Sequence, residues 1–225
     1  MSRPVALVTG ASRGIGRAIA LALTSTHHVL VGGRDTDAVW DVVRELESAE
    51  PFIADLTDEA AVSAAVAGIG QLDVLVHSAG AVAYGPLIDS TTAEWRELME
   101  LNVIAPATLT RLLLPALRAR HGLVIFLNSG AGLTAHRGFA VYAASKFALT
   151  ALADALRADE RGRLRVTSIH PGRVATDMQA RLTSLEGMPY IPDAHLDPDD
   201  VARAVRLAVD LPPDASIDAL RISPV

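Results

Sequence analysis

Two residues in the stretch "YAASK" have the types and spacing for proton chemistry. Of the 20 basic residues 19 are arginine, and the one lysine, Lys146, follows Tyr142 by four positions. At ~100° per residue a helix puts both on one face, one turn apart. A free phenol titrates near pH ~10 and is almost wholly protonated at neutral pH. An ammonium ~5 Å away, at an effective dielectric of ~20, is worth ~3 kcal/mol or ~2.4 pKa units. Desolvation opposes this, and the balance predicts a phenol titrating at roughly 7.5 to 8.5, able to exchange protons with a substrate oxygen. An ammonium is a compact donor with three rotatable hydrogens, whereas a guanidinium is a bulkier planar fork. The alternative is a tyrosine and a lysine that merely share a helix face, since so short a pattern also matches by chance.

A second chemical signal is "TGASRGIG", where Gly10, Gly14 and Gly16 have the spacing GxxxGxG. Missing side chains permit a tight turn and let the backbone approach a pyrophosphate at a helix N-terminus. The competing reading is a glycine-rich turn that holds no ligand.

Alternating strand and helix patterns must position these groups. Strand-like runs cover Val5–Gly10, His28–Gly33, "PFIA" ending at Asp55, Asp73–Gly80, "LVIFLNSG", "LRVTSIHPG" and "SIDALRIS". Between them lie helical patterns from about Gly14 to Ser25, over "DAVWDVVRELESA", over "DEAAVSAAVAGI" with Thr57 as N-cap, from Ala93 to Arg120 with bends at Pro106 and Pro115, from Tyr142 to Arg161, and over "DPDDVARAVRLAVD". This alternation predicts an α/β fold: a Rossmann-like doubly wound parallel sheet of about seven strands with helices on both faces. No linker or repeat divides residues 1–225, so one dinucleotide-binding domain is expected, with an irregular substrate loop at about 177–197. Such sheets bind ligands at the carboxyl ends of their strands, where every loop discussed here falls.

Half of the 225 residues are apolar and 20% are charged, as in a globular protein that buries a full core. A net charge of −6 gives no reason to expect nucleic acid or an anionic membrane as partner. With no cysteine, disulfides, thiolate metal sites and thiol catalysis are excluded, and no metal site is expected. The opening "MSRPVALVTG" has no long apolar h-region, and nowhere do 18 apolar residues run unbroken; a cytoplasmic location is expected.

Taken together in this order, "TGASRGIG", "YAASK" and "HPGRVATDM" resemble the short-chain dehydrogenase/reductase family from Val5 to about Met178. The resemblance implies that Tyr142 is the proton donor in carbonyl reduction and the base in alcohol oxidation, while Lys146 tunes the phenol and bonds a ribose. It implies that Ser129, 13 residues before Tyr142, orients the carbonyl oxygen, against the reading of a strand-end turn serine. Asn102 in "ELNVIAP" matches the family's helical asparagine, thought to hold a water near the lysine; a surface-facing asparagine is the alternative. At Asn128 the family often has a second serine, a change expected to alter packing more than chemistry.

The resemblance places Gly10, Ser12, Arg13, Gly14, Ile15 and Gly16 around the cofactor's phosphates. NAD-preferring members carry an acid where this chain has Gly33, followed by Arg34. Glycine leaves room for a 2′-phosphate and Arg34 can pair with it, with Arg13 on the other side. NADP(H) is therefore favoured, with NAD(H) possible; either arginine can equally be a solvated surface charge, and Asp35 could swing towards the ribose. Asp55 and Leu56 fall where the family touches adenine, although Asp55 can also cap. "HSAG" departs from the usual "NNAG": Ser78, Ala79 and Gly80 still face the cofactor, and His77 reads as structural rather than catalytic. Pro171 and Gly172 would turn against the nicotinamide, the Val174 backbone would hold its carboxamide, and Thr176 would bond that group or the pyrophosphate. His170 reads as core.

Met178, Leu182, Leu185, Met188 and Tyr190 form either a mobile apolar lid or core. Leu133, His136, Arg137 and Phe139 are expected at the pocket entrance. The expected activity is hydride transfer between nicotinamide and a carbonyl or secondary alcohol. The alternatives are a catalytically silent dinucleotide-binding sensor and, less compatible with this glycine spacing, a nucleotide-sugar epimerase. The resemblance also implies a homodimer or homotetramer built through the long helices flanking the fifth strand.

Overall fold

A computed structural model describes residues 3–225. Seven strands form one sheet: β1 (Val5–Val8), β2 (His28–Gly33), β3 (Ala49–Ile53), β4 (Val74–His77), β5 (Leu123–Leu127), β6 (Arg165–Pro171) and β7 (Ala219–Ile222). Their order is β3-β2-β1-β4-β5-β6-β7 and every pairing is parallel. The order reverses between β1 and β4, which opens a crevice at their carboxyl ends.

The near-continuous apolar runs of the strands reflect burial on both faces. In β5, Leu123, Ile125 and Leu127 join one core layer, while Val124 and Phe126 join the other. The first layer is covered by α1 (Gly14–Leu23), α2 (Thr36–Glu45) and α8 (Pro198–Val209), through residues such as Ile19, Leu23, Val39, Val201 and Val205. The second is covered by α3 (Glu59–Val66), α5 (Ala105–Arg118) and α6 (Ala140–Asp159), through Val62, Leu109, Leu113, Leu117 and Leu149.

Three local expectations change. The N-cap of α3 is Asp58, whose carboxylate accepts from the N–H groups of Ala60 and Ala61, not Thr57. The region from Ala93 to Arg120 is interrupted upstream of its prolines: α4 (Thr92–Met99) passes through a π turn (Glu100–Ile104) into α5. Pro106 has no N–H to offer the carbonyl of residue 102, so the wider turn forfeits no bond there. Pro115 lies inside α5. Finally, 177–197 is not irregular throughout, because Asp177–Leu185 forms α7, capped by Thr176, whose hydroxyl accepts from the Gln179 N–H. No described helix is long and apolar enough to cross a membrane.

Candidate active site

The glycine loop leaves β1 and enters α1 through backbone that side chains would block. Gly10 (φ 63°) and Gly14 (φ 54°) lie in the left-handed region. A Cβ at Gly10 would stand 2.8 Å from the Ala79 Cα, and one at Gly16 2.3 Å from the Gly10 carbonyl oxygen. The N-cap position of α1 is Arg13, which makes no side-chain capping bond, so the first-turn N–H groups stay open to an anion. This cradle fits the pyrophosphate of a dinucleotide.

The loop after β4 is held against it by Thr9. Its hydroxyl accepts from the N–H groups of Ser78 (3.0 Å) and Ala79 (3.2 Å) and donates to the Val76 carbonyl (3.3 Å). The sequence reading did not anticipate this bracing. His77 turns the other way: its Nε2 lies 2.8 Å from the Thr110 hydroxyl on α5 and its ring stacks on Phe126 at 4.9 Å. Complete burial pushes its pKa down to about 3, so the imidazole is neutral and structural.

Asn102, Ser129, Tyr142 and Lys146 converge beside Gly80. Asn102 is buried, not surface-facing, because the π turn rotates it inward. Its carboxamide accepts from the Ala81 N–H (2.9 Å) and donates to the Ala81 carbonyl and the Ser145 hydroxyl (both 3.0 Å). A Cβ at Gly80 would lie 3.1 Å from the Asn102 Oδ1 and 3.9 Å from the Lys146 Nζ, so glycine keeps this passage open. Lys146, 5% exposed, donates to the Leu127 carbonyl at 3.0 Å. Its Nζ is 5.8 Å from the centroid of the Tyr142 ring. The Ser129 hydroxyl accepts from the Ala131 N–H at 3.1 Å and lies close enough to the phenol to favour its ionised form.

The electrostatics correct one expectation. Burial raises the Tyr142 pKa above its ordinary value, with the Ser129 side chain acting against it, so a phenol lowered to between 7.5 and 8.5 is not what the protein alone presents. Burial also lowers Lys146 to about 8. Removing both groups from water outweighs their mutual attraction. At neutral pH the pair is a neutral phenol beside an ammonium.

Asn128 performs a positioning task that its position in the sequence did not reveal. From the end of β5 its Nδ2 donates to the Lys146 carbonyl (3.2 Å) and the Thr150 hydroxyl (2.8 Å), while its Oδ1 accepts from the Ser129 N–H (2.9 Å). One side chain thus ties the serine to the helix of the lysine. Gly132 makes room for it, since a Cβ there would meet the Asn128 Oδ1 at 2.5 Å. His170 completes the clamp: burial lowers its pKa, and its Nδ1 lies 3.0 Å from the Ser129 carbonyl and donates to it.

The remaining predicted residues divide. Thr176 approaches the glycine loop, its Cγ2 standing 3.4 Å from where a Gly14 Cβ would be. Ser12 neighbours Gly33, whose own Cβ would meet Val39 at 2.6 Å. Ile15 packs on the core layer beneath α1, and Leu56 on the opposite layer. Arg13 and Arg34 are exposed at the crevice rim, and Arg34 is near enough to help hold the Asp55 carboxyl below its usual range. The first cause of that shift is Thr57, whose N–H and hydroxyl both donate to Asp55. Asp35 caps α2 through the Ala38 N–H, so it is engaged there and not turned to a ribose. Pro171 ends β6, and the open face of Gly172 meets Pro224 and Ser223 of the C-terminal segment. Val174 is buried and bridges Leu196. Of the apolar set after Thr176, Leu182 is core while Met178, Leu185 and Met188 are exposed.

Comparison with known proteins agrees with this geometry. The family model described as short chain dehydrogenase matches residues 4–187. An uncharacterized short-chain type dehydrogenase/reductase of Sinorhizobium fredii is 36% identical over 98% of this chain and 91% of its own length. Among solved structures, an alcohol dehydrogenase from the archaeon Thermococcus sibiricus, complexed with 5-hydroxy-NADP, superposes with a TM-score of 0.89 at 27% identity, covering 98% of this chain and 96% of that one. A metagenomic short-chain oxidoreductase in complex with NADP gives 0.83 at 33% identity, covering 100% and 98%. With its seven-stranded parallel sheet, its glycine cradle and the tyrosine–lysine pair, the chain belongs to the short-chain dehydrogenase/reductase family.

Proposed function

We propose that this protein is an NADP(H)-dependent oxidoreductase that interconverts a carbonyl and a secondary alcohol. The observation that carries the reading is the cluster of half-buried Ser129 and Tyr142 with buried Lys146, joined to the glycine cradle through Gly80. Bound NADPH would supply the hydride. Ser129 would donate to the carbonyl oxygen and fix its direction. The neutral Tyr142 phenol is the protonated form that can hand its proton to that oxygen as negative charge develops. The Lys146 ammonium, 5.8 Å from the ring centroid, would stabilise the resulting phenolate by opposite charge. Asn102 holds the Gly80–Ala81 turn beside the ammonium, and Asn128 holds the serine and lysine elements in register. Alcohol oxidation reverses these roles, with Tyr142 as the base.

The choice of NADP is supported by glycine at position 33, by two exposed arginines flanking that position, and by solved relatives described with NADP or a derivative of it. The cofactor-facing roles of Ser12, Ser78, Ala79, Val174 and Thr176 belong to the same proposal. So does assembly of copies through α5 and α6, where Phe147 on α6 and Ile104, at the end of the π turn leading into α5, are exposed. The test is turnover of a panel of ketones, aldehydes and alcohols with each cofactor. Reduction with NADPH at least tenfold more efficient than with NADH is expected; absence of any carbonyl turnover with either cofactor refutes the reading.

A further inference from the structure

An aromatic wall runs from the loop after β4 to Tyr142. Tyr84 and Phe139 meet edge to face with centroids 5.2 Å apart, and Phe139 and Tyr142 are tilted at 6.3 Å. Both distances are in the range in which aromatic rings attract one another. The two loops bearing the rings are joined by backbone: Gly85 bridges Phe139, and the Gly85 N–H donates to the Gly138 carbonyl at 2.9 Å. Gly138 has φ 83°, and a Cβ there would fall 2.4 Å from the Tyr84 Cε2. Tyr84 therefore seats its ring directly on a glycine backbone. That arrangement fixes the wall before any substrate arrives, at a place where the flanking His136 and Arg137 are exposed.

The wall's chemistry narrows the substrate. From Tyr84 through Phe139 to Tyr142 it presents ring surface, and among these three side chains only the two phenol hydroxyls are polar. A polyol laid along it would find fewer partners than it has hydroxyls, losing roughly tenfold in affinity for each one left unpaired. A flat apolar substituent gains ring contact instead.

We infer that Tyr84 is a specificity-determining residue, which with Phe139 and Gly138 selects carbonyl compounds bearing an apolar, aryl-type substituent next to the carbonyl that Tyr142 serves. The inference rests on the oxidoreductase reading above.

The test uses acetophenone and fructose as carbonyl probes with NADPH, in the intact protein and in Tyr84→Ala, Tyr84→Phe and Gly138→Ala. The intact protein should prefer acetophenone by about 100-fold or more in kcat/KM, the sum of several unpaired hydroxyls. Tyr84→Ala should raise the KM for acetophenone about tenfold with a smaller change in kcat, as loss of ground-state contact requires. Tyr84→Phe should restore it to within about threefold, and Gly138→Ala, which pushes the ring off its seat, should resemble Tyr84→Ala. A preference for fructose, or an acetophenone KM untouched by Tyr84→Ala, overturns the inference. Calorimetric binding of 1-phenylethanol to the NADP-saturated protein separates the two readings. Binding weakened by Tyr84→Ala without turnover of any carbonyl supports the wall and defeats the hydride-transfer reading. No binding defeats the wall.

Discussion

Replacing Asn128 by alanine removes a side chain that bonds both the backbone of Ser129 and the helix of Lys146. Three hydrogen bonds go: to the Lys146 carbonyl, to the Thr150 hydroxyl and from the Ser129 N–H. Two of the partners are not orphaned, because the Thr150 hydroxyl also donates to the carbonyls of Gly132 and Lys146 at 3.1 Å. The Ser129 N–H loses the acceptor that Asn128 supplied. At ~1 kcal/mol net per bond, with a larger cost for the stranded donor, the loss is roughly 3–5 kcal/mol. For a chain of this size that is a fall of roughly 6–20 °C in Tm. The kinetic effect is separate: the Lys146 bond to the Leu127 carbonyl survives, but the Ser129 backbone loses its tie to α6, so Ser129 and Lys146 no longer hold one geometry. Displacements of ~1 Å at reacting groups cost up to about 100-fold, so a loss of tenfold or more in kcat is expected. Thermal melts and steady-state reduction of the best carbonyl with NADPH measure both. A Tm within 2 °C of the parent and an unchanged kcat would refute the positioning role.

Removing the rim charges should expose the basis of cofactor choice. Arg13→Ala combined with Arg34→Ala is expected to lower the NADPH/NADH ratio of kcat/KM by about tenfold or more, since charge-assisted bonds to a phosphate contribute roughly 1.5–3 kcal/mol; an unaltered ratio places the discrimination elsewhere. Lys146 should betray its burial in a pH series. Its pKa, lowered to about 8 from 10.5, means that the native state holds the proton less tightly than the unfolded chain. The ammonium therefore opposes folding by on the order of 3 kcal/mol below about pH 8, a cost that fades as pH rises from there towards 10.5. Lys146→Met should be more stable than the parent at pH 7 in urea melts, with the gap narrowing over that window; a gap that does not change with pH counts against the buried ammonium.

The sheet was legible because its inner strands are buried on both faces and so read as near-continuous apolar runs, as in Val5–Val8 and Leu123–Leu127. The glycine cradle was legible because Gly10 and Gly16 occupy places where any Cβ would strike backbone. What escaped notice depends on contacts between residues far apart in the chain. Thr9 meets Ser78 and Ala79 some 70 positions later, and Asn128 reaches Lys146 and Thr150 across the β5–α6 connection. Neither leaves a periodic trace. The π turn at Glu100–Ile104 could not be seen in a helical pattern that its wider winding merely offsets, although Pro106 marked the place. Helix α7 was missed because its apolar residues are few, with Leu182 alone among Met178, Leu182 and Leu185 buried. The phenol's shift went the other way because spacing along a helix gives the distance of a charge but not the burial of both partners.

The central claim is that Tyr142 moves the proton in a site whose cofactor binding does not depend on its hydroxyl. The direct measurement is Tyr142→Phe, with NADPH binding followed by fluorescence titration and turnover by loss of NADPH absorbance with a carbonyl substrate. A fall in kcat of about 1,000-fold or more is predicted, within the span of general acid catalysis, with the NADPH Kd within about threefold of the parent. Turnover within tenfold of the parent at unchanged Kd contradicts the account.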